Sequence, residues 1–348
     1  MKDTQHLASI IAEVPKAELH LHLEGSISPE TVSLLGARRG VTIAPEAAAS
    51  RYAYTDFTGF LEAFKWATGY LKAPEDYALI THRLADELVR QRVIYAEITV
   101  SVGVMERYGQ NVEANFAAID EVARRYRENG QLRIAWIFDA TRQFGPNAAM
   151  KVAVHAAKFQ KHGVVAFGIG GDELAVPTVN FRAAYDYARN QGLHVTMHAG
   201  EIGGPELVRE AIDHLGAERI GHGIAVMRDP ALADRLANLR VPLEICLTSN
   251  LRTGALARQT VKPGATLADH PLPQFVDRGV TVTLSTDDPA MFHTDLLSEY
   301  NHAVSLGLSK PQIAKIIESG FTTSFVAPEH KLPLLNQFRS SAKSLGLL

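Results

Sequence analysis

From residue 93 onward the sequence alternates between short apolar runs of strand character and longer runs of helical periodicity. That alternation narrows the possible folds more than any other feature. The predicted strands are Val93–Ser101, Leu132–Ala140, Val164–Gly171, Leu193–Gly200, Arg219–Gly223, Pro242–Asn250 and Val280–Asp288. Between them lie the predicted helices Asn111–Gly130, Pro146–Gly163, Asn180–Gly192, Pro205–Gly216, Asp229–Arg240 and Asp269–Gly279. Asn111 is a good helix start and Gly130 a good stop. In Pro205–Gly216 the residues Leu207, Val208, Ala211, Ile212 and Leu215 share one apolar stripe. One further strand, Ala17–Gly25, precedes the series. Strands that alternate with helices pair in parallel through right-handed crossovers. Eight such units close an α/β barrel of the (β/α)8 TIM type. A doubly wound open sheet is the alternative, and the lack of a G-x-G-x-x-G after the first strand counts against it.

Between the first strand and the second, residues from about 29 to 92 read as helical, opening at Ser28-Pro29 with a loop near Ala44–Ser50. The sequence predicts a helical insertion over the barrel mouth, within a single domain spanning residues 1–348. Apolar residues make up 46% of the chain, ample for one large core. The net charge is −3 with both signs interspersed, which offers nucleic acid no polycationic face. A single cysteine, Cys246, excludes a disulfide framework and a thiolate zinc cluster. The polar N-terminus and the absence of any apolar stretch of membrane-spanning length predict a cytoplasmic protein without a membrane partner.

The first strand carries the most unusual pattern. Side chains alternate faces along a strand, so Leu19, Leu21 and Leu23 share one side, and Glu18, His20, His22 and Glu24 share the other. Two imidazoles on one face can hold a metal ion without any turn. With 14 histidines in the chain, chance yields about half an H-x-H. The pair alone therefore decides nothing.

The ends of the later strands decide more. Chemistry in such a barrel sits at the C-terminal strand ends. Those ends read Gly170-Gly171-Asp172-Glu173, His198-Ala199-Gly200-Glu201, Gly221-His222-Gly223, Thr248-Ser249-Asn250 and Thr286-Asp287-Asp288-Pro289. Alternation puts His198 opposite Val195 and Met197, and Asp287 with Thr283 and Ser285. Barrel interiors are normally filled by branched apolar side chains, so a cluster of polar residues at one mouth calls for a function.

H-L-H-L-E-G-S, H-A-G-E, I-G-H-G, T-S-N and S-T-D-D-P, in this order, resemble the adenosine deaminase family of metal-dependent amidohydrolases. The resemblance runs from about Pro15 to Phe292. It implies one zinc ion per chain, held by His20, His22, His198 and Asp287. It further implies that Glu201 protonates N1 of a purine and that His222 orients the attacking hydroxide. Asp288 would then meet N7, and the backbone N–H of Gly171 would meet N3. The chemistry suits these residue types independently. Displacing ammonia from C6 needs a nucleophile at neutral pH, which a metal supplies by lowering the pKa of bound water to about 7. It also needs a proton at N1, and a carboxyl group in a water-poor pocket can still carry one. Three histidines, an aspartate and water would make five ligands, so Asp287 either binds weakly or shares the water. The unrelated zinc deaminase pattern, H-x-E with P-C-x-x-C, is set aside because one cysteine cannot complete it.

The departures concern the substrate's far end. Many adenosine deaminases of this family carry H-L-D-G, whose aspartate meets the sugar 5′-hydroxyl, whereas this chain has Glu24 there. H-L-E-G resembles adenine deaminases and 6-amino-6-deoxyfutalosine deaminases of menaquinone synthesis. Ile220-Gly221-His222-Gly223 and Leu247-Thr248-Ser249-Asn250 depart from the I-D-H-G and P-L-S-N of adenine deaminases, which favours a nucleoside. Arg252 stands where a cation would meet a carboxylate on a 5′-extended substrate, although a solvated arginine is the simpler reading. The sequence thus predicts hydrolytic deamination of a 6-aminopurine nucleoside, with aminodeoxyfutalosine favoured and adenosine open. The alternatives are adenine deamination and a non-catalytic barrel that binds purine nucleosides. A third is another amidohydrolase reaction, against which the lack of a lysine at the end of the fourth strand argues.

Overall fold

The computed structural model describes residues 2–348, with side chains described from Gln5 onward. Eight parallel strands pair in chain order: β1 (Lys16–His22), β2 (Val93–Val100), β3 (Arg133–Thr141), β4 (Val164–Gly170), β5 (His194–Ala199), β6 (Arg219–His222), β7 (Leu243–Ile245) and β8 (Val282–Leu284). Helices separate them, so the (β/α)8 barrel stands. At the seam, His22 N donates to Asp287 O at 2.8 Å and Asp287 N to His20 O at 3.0 Å. The Ser285 hydroxyl, 3.1 Å from His20 N, extends the closure below that point. Among the described residues no helix is long and apolar enough to cross a membrane.

Local chemistry explains the helix boundaries. Ser28 caps the first helix of the insertion by accepting from Thr31 N at 3.2 Å, and Asn111 caps Val112–Glu128 by accepting from Ala114 N at 3.0 Å. The insertion contains the helices Pro29–Ala37, Pro45–Arg51, Phe57–Thr68 and Pro74–Arg90. The second of these replaces the loop predicted near Ala44–Ser50. A proline at its first turn and three consecutive alanines suffice to form it.

The last two strands are shorter than the sequence pattern predicts. Strand β7 stops at Ile245, and Thr248-Ser249-Asn250 lies on the helical turn Leu247–Arg252. The cause is remote in sequence: the buried Glu299 carboxylate accepts from Leu247 N at 2.8 Å and from Thr248 N at 3.3 Å, satisfying the amides that start a helix. Strand β8 stops at Leu284 because Glu18 Oε1 takes Thr286 N at 2.9 Å, after which Asp287 turns to φ +64°. Strand β1 likewise ends at His22, and Glu24 begins the 3-10 turn Glu24–Ser26.

Inside the barrel, beneath the mouth, a buried ionic ladder replaces an apolar layer. Arg219 reaches Glu97 Oε2 at 2.5 Å and Glu244 Oε1 at 2.6 Å. Its guanidinium lies 3.6 Å from the centroid of the Phe325 ring, which packs near Ile137 and Ala166 at the barrel floor. The other oxygen of Glu244 is 2.9 Å from His20 Nδ1, so the ladder ends at the mouth.

Candidate active site

At the mouth the structure gathers His20, His198, His222 and Asp287, each offering an atom within 4.8 Å of the others. His22 joins them: its Nε2 lies 3.3 Å from Asp287 Oδ1 and 3.3 Å from His198 Nε2. His20 Nε2 lies 3.4 Å from the same Oδ1. His222 faces the other side of the cluster, 3.8 Å from Asp287 Oδ2 and 3.6 Å from Glu201 Oε2. His222 and Asp287 both adopt left-handed backbone, φ +60° and +64°, an uncommon geometry for residues with side chains that often marks functional sites. Asp287 therefore reaches the mouth through a turn, and not through the extended alternation read from the sequence.

Hydrogen-bond donors decide which imidazoles can bind a cation. Leu272 N, an obligate donor, gives its proton to His270 Nδ1 at 3.1 Å. Burial drives His270 down to about 3, so the ring is neutral and its proton sits on Nε2. That Nε2 lies 3.3 Å from Asn250 Oδ1, which leaves the Asn250 amide nitrogen to donate to His222 Nδ1 at 3.1 Å. His222, also held neutral at about 3 mainly by burial, must then carry its proton on Nε2. A protonated nitrogen is a donor and not a ligand. His22 is consequently the third histidine of the cluster, and His222 points a proton at its contents.

The rest of the cluster suits a divalent cation. His20 donates from Nδ1 to Glu244. Burial would lower its pKa, yet Asp287 and Glu244 raise it to about 10, so a cation bound at Nε2, a buried atom with no hydrogen-bond partner among the described residues, would take the place of the second proton. Burial would raise Glu244, yet Arg219 and His20 hold it below the usual carboxylate range. Ser249 Oγ donates to Asp287 Oδ2 at 2.7 Å and fixes the carboxylate. Imidazole nitrogens with one carboxylate are a donor set for zinc and similar ions.

Glu201 is buried beside this cluster. Burial, together with the charges of Asp287 and Glu173, keeps its carboxyl well above the usual range. Thr253 Oγ1 donates to it at 3.1 Å. Its backbone is pinned by Glu173, which accepts from Glu201 N at 3.0 Å, Ile202 N at 3.2 Å and Gly203 N at 2.7 Å. Asp288 is also buried and raised, first by burial and then by Asp287, and its Oδ1 has no hydrogen-bond partner among the described residues. Gly25 has no room for a Cβ against that carboxyl, which explains the glycine in H-L-E-G. Gly171, at φ +90°, lies on the opposite wall with Gly170.

A cavity of about 540 Å³ joins these groups to the insertion. His22, His198, Glu201, His222, Asp287, Asp288 and Gly171 line it, while three residues singled out from the sequence do not: His20, at the buried base of the cluster, Glu24 and Arg252. Glu24 is buried behind the wall, where its carboxyl accepts from Ser101 N at 3.1 Å and burial lifts it to about 7. The 3-10 turn at Glu24 redirects the side chain that alternation aimed at the cavity. Arg252, half-buried, donates to Tyr52 O at 3.1 Å and lies 5.8 Å from the Tyr54 ring, so it clamps the insertion and does not line the pocket.

Sequence reasoning missed Asp139, whose carboxyl lines the cavity and is raised by burial. Its signal was present in β3, where Ile137, Asp139 and Thr141 share the inward face. It also missed Glu244 and Arg219, single charges inside otherwise apolar strands.

Residues 15–340 match the model of the family described as adenosine deaminase. An aminodeoxyfutalosine deaminase from Streptomyces coelicolor is 39% identical over 92% of this chain and 82% of its own length. An adenine deaminase from Rhizobium leguminosarum bv. trifolii is 35% identical over 92% of this chain and 97% of its own. The crystal structure of an adenine deaminase from Arthrobacter aurescens superposes with a TM-score of 0.87 at 28% identity, over 95% of this chain and 99% of that one. Matched over most of its length, this chain belongs to the adenosine deaminase family and is a hydrolase of C–N bonds, a deaminase of adenine-like substrates.

Proposed function

We propose that the chain converts a 6-aminopurine nucleoside and water into the 6-oxopurine nucleoside and ammonia. The favoured substrate is aminodeoxyfutalosine, followed by adenosine. One zinc ion would be held by His20, His22, His198 and Asp287. The observation that carries this reading is the Glu201 carboxyl, buried 3.6 Å from His222 Nε2 at the edge of an imidazole–carboxylate cluster, where burial and the Asp287 charge hold it well above the usual carboxylate range. When bound, the ion supplies a water whose pKa falls to about 7, and hence a nucleophile at neutral pH.

The protein's own groups supply the rest. His222 Nε2–H holds the attacking oxygen on one face of C6. Glu201 delivers its proton to N1 as the C6–O bond forms, so the ring accepts the electron pair without building an anion. Asp288, raised first by burial and then by Asp287 and with Oδ1 free of protein partners among the described residues, donates to N7 in its acid form, and Gly171 N–H meets N3. Glu201, now a carboxylate, takes the proton of the C6 hydroxyl and passes it to the amino group, so the C6–N bond breaks, ammonia leaves and the 6-oxo group forms.

The 39% identity to an aminodeoxyfutalosine deaminase supports the extended nucleoside, as does a cavity larger than a purine base needs. Zinc-loaded protein should release one ammonia per 6-oxopurine nucleoside formed from aminodeoxyfutalosine or adenosine. Binding without ammonia release would leave only a purine-binding barrel.

A further inference from the structure

The end of the cavity remote from His22 and Asp287 has a chemistry that the purine does not use. Its wall is the helix Phe57–Thr68, where Phe57, Phe60, Phe64 and Lys65 fall on one stripe facing the cavity. Across from it stand Arg107 and Phe144, with the guanidinium 5.6 Å from the ring centroid. Phe60 packs 5.0 Å from Phe292, on the short helix Pro289–Phe292 that follows Asp288, so the aromatic wall is continuous with the purine end. Among the described residues, Lys65 and Arg107 are the only lysine and arginine lining the cavity. Neither has a carboxylate within 4.0 Å among those residues, although many arginines elsewhere on the surface are paired. The far end is thus an aromatic trough closed by two unpaired cations.

Resting on the nucleoside reading above, we infer that this trough is a subsite for an aryl carboxylate carried on the 5′ side of the nucleoside, with Lys65 and Arg107 as its anion-recognition pair. The phenylalanine rings cover the aryl spacer. The two cations, exposed at the rim, meet the carboxylate, and Arg107 remains stacked on Phe144 while doing so. This assigns to Lys65 and Arg107 the role that the sequence suggested for Arg252. A phosphate placed directly on the 5′ carbon would share the negative charge but leave the trough empty.

The test is a comparison of kcat/KM for aminodeoxyfutalosine, AMP and adenosine in the zinc-loaded wild type and in Lys65→Gln, Arg107→Gln and the double variant. The ratio of aminodeoxyfutalosine to adenosine should fall roughly 10–100-fold in the double variant, mainly through KM. Lys65→Arg, which keeps the charge, should restore most of the ratio when Arg107 is intact. An unchanged ratio in the double variant overturns the inference. So does a wild type that prefers AMP and loses that preference on substitution, since the subsite would then be a phosphate site. A wild type that deaminates none of the three removes the underlying reading, an outcome separate from either of these.

Discussion

The Asn250 amide nitrogen stands 3.1 Å from Nδ1 of His222, and through that one contact the backbone N–H of Leu272 dictates where the His222 proton sits. The consequence is testable. In Asn250→Asp both carboxylate oxygens accept, so the Asp pulls the His222 proton to Nδ1 and leaves Nε2 bare. We expect kcat to fall by about 10²–10⁴, the scale of a wrongly placed imidazole proton, with KM and metal content little changed. Nitrogen NMR of ¹⁵N-histidine protein should show His222 protonated on Nε2 in the wild type and on Nδ1 in the variant. A wild-type signal protonated on Nδ1 would refute the assignment.

Metal binding should follow the ligand set that this proton placement selects. Purified protein should hold about one divalent ion per chain, and a chelator should abolish turnover. His22→Ala should lose metal and activity together, whereas His222→Ala should keep its metal while losing turnover. Elemental analysis of the two variants distinguishes them, and metal retention by His22→Ala would point to His222 as the ligand.

Glu201→Gln keeps the shape and the Thr253 contact but removes the acid. Metal content should be unchanged and kcat lower by at least about 10²–10⁴. The acid form is the active one, so activity falls as pH rises through the raised Glu201 pKa. That alkaline limb should be missing from the residual activity of Glu201→Gln. Near-normal turnover in the variant would reduce Glu201 to a packing residue.

Arg252 holds Tyr52 and lies against Tyr54, both from the insertion. Arg252→Gln should therefore cost about 1–2 kcal/mol of stability and lower kcat/KM for adenosine and for aminodeoxyfutalosine by a similar factor. A loss confined to the extended substrate would return Arg252 to the pocket, at the expense of Lys65 and Arg107.

The barrel was legible because strand alternation and helix caps are local. Leu19 and Leu21 announce the outer face of β1, and Asn111 and Ser28 cap the helices whose starts they mark in the sequence. What stayed hidden depends on partners distant in sequence. Glu299 bends Thr248-Ser249-Asn250 into a helix from about 50 residues away, and Glu18 arrests β8 from the other end of the chain. Glu24 was misplaced by a single turn, and Arg252 by tyrosines in an insertion whose docking no periodicity records. His22 and His222 could not be told apart as ligands by motif alone. The His270–Asn250 pair that separates them exists only in three dimensions.

The most direct test of the account is the specificity constant of the zinc-loaded protein for aminodeoxyfutalosine, adenosine and free adenine, measured side by side by ammonia release. A deaminase of 6-aminopurine nucleosides with an aromatic, cationic far pocket should rank them in that order, with adenine at least about 100-fold below the best nucleoside. Adenine turned over as fast as either nucleoside, or no ammonia from any of the three, would contradict it.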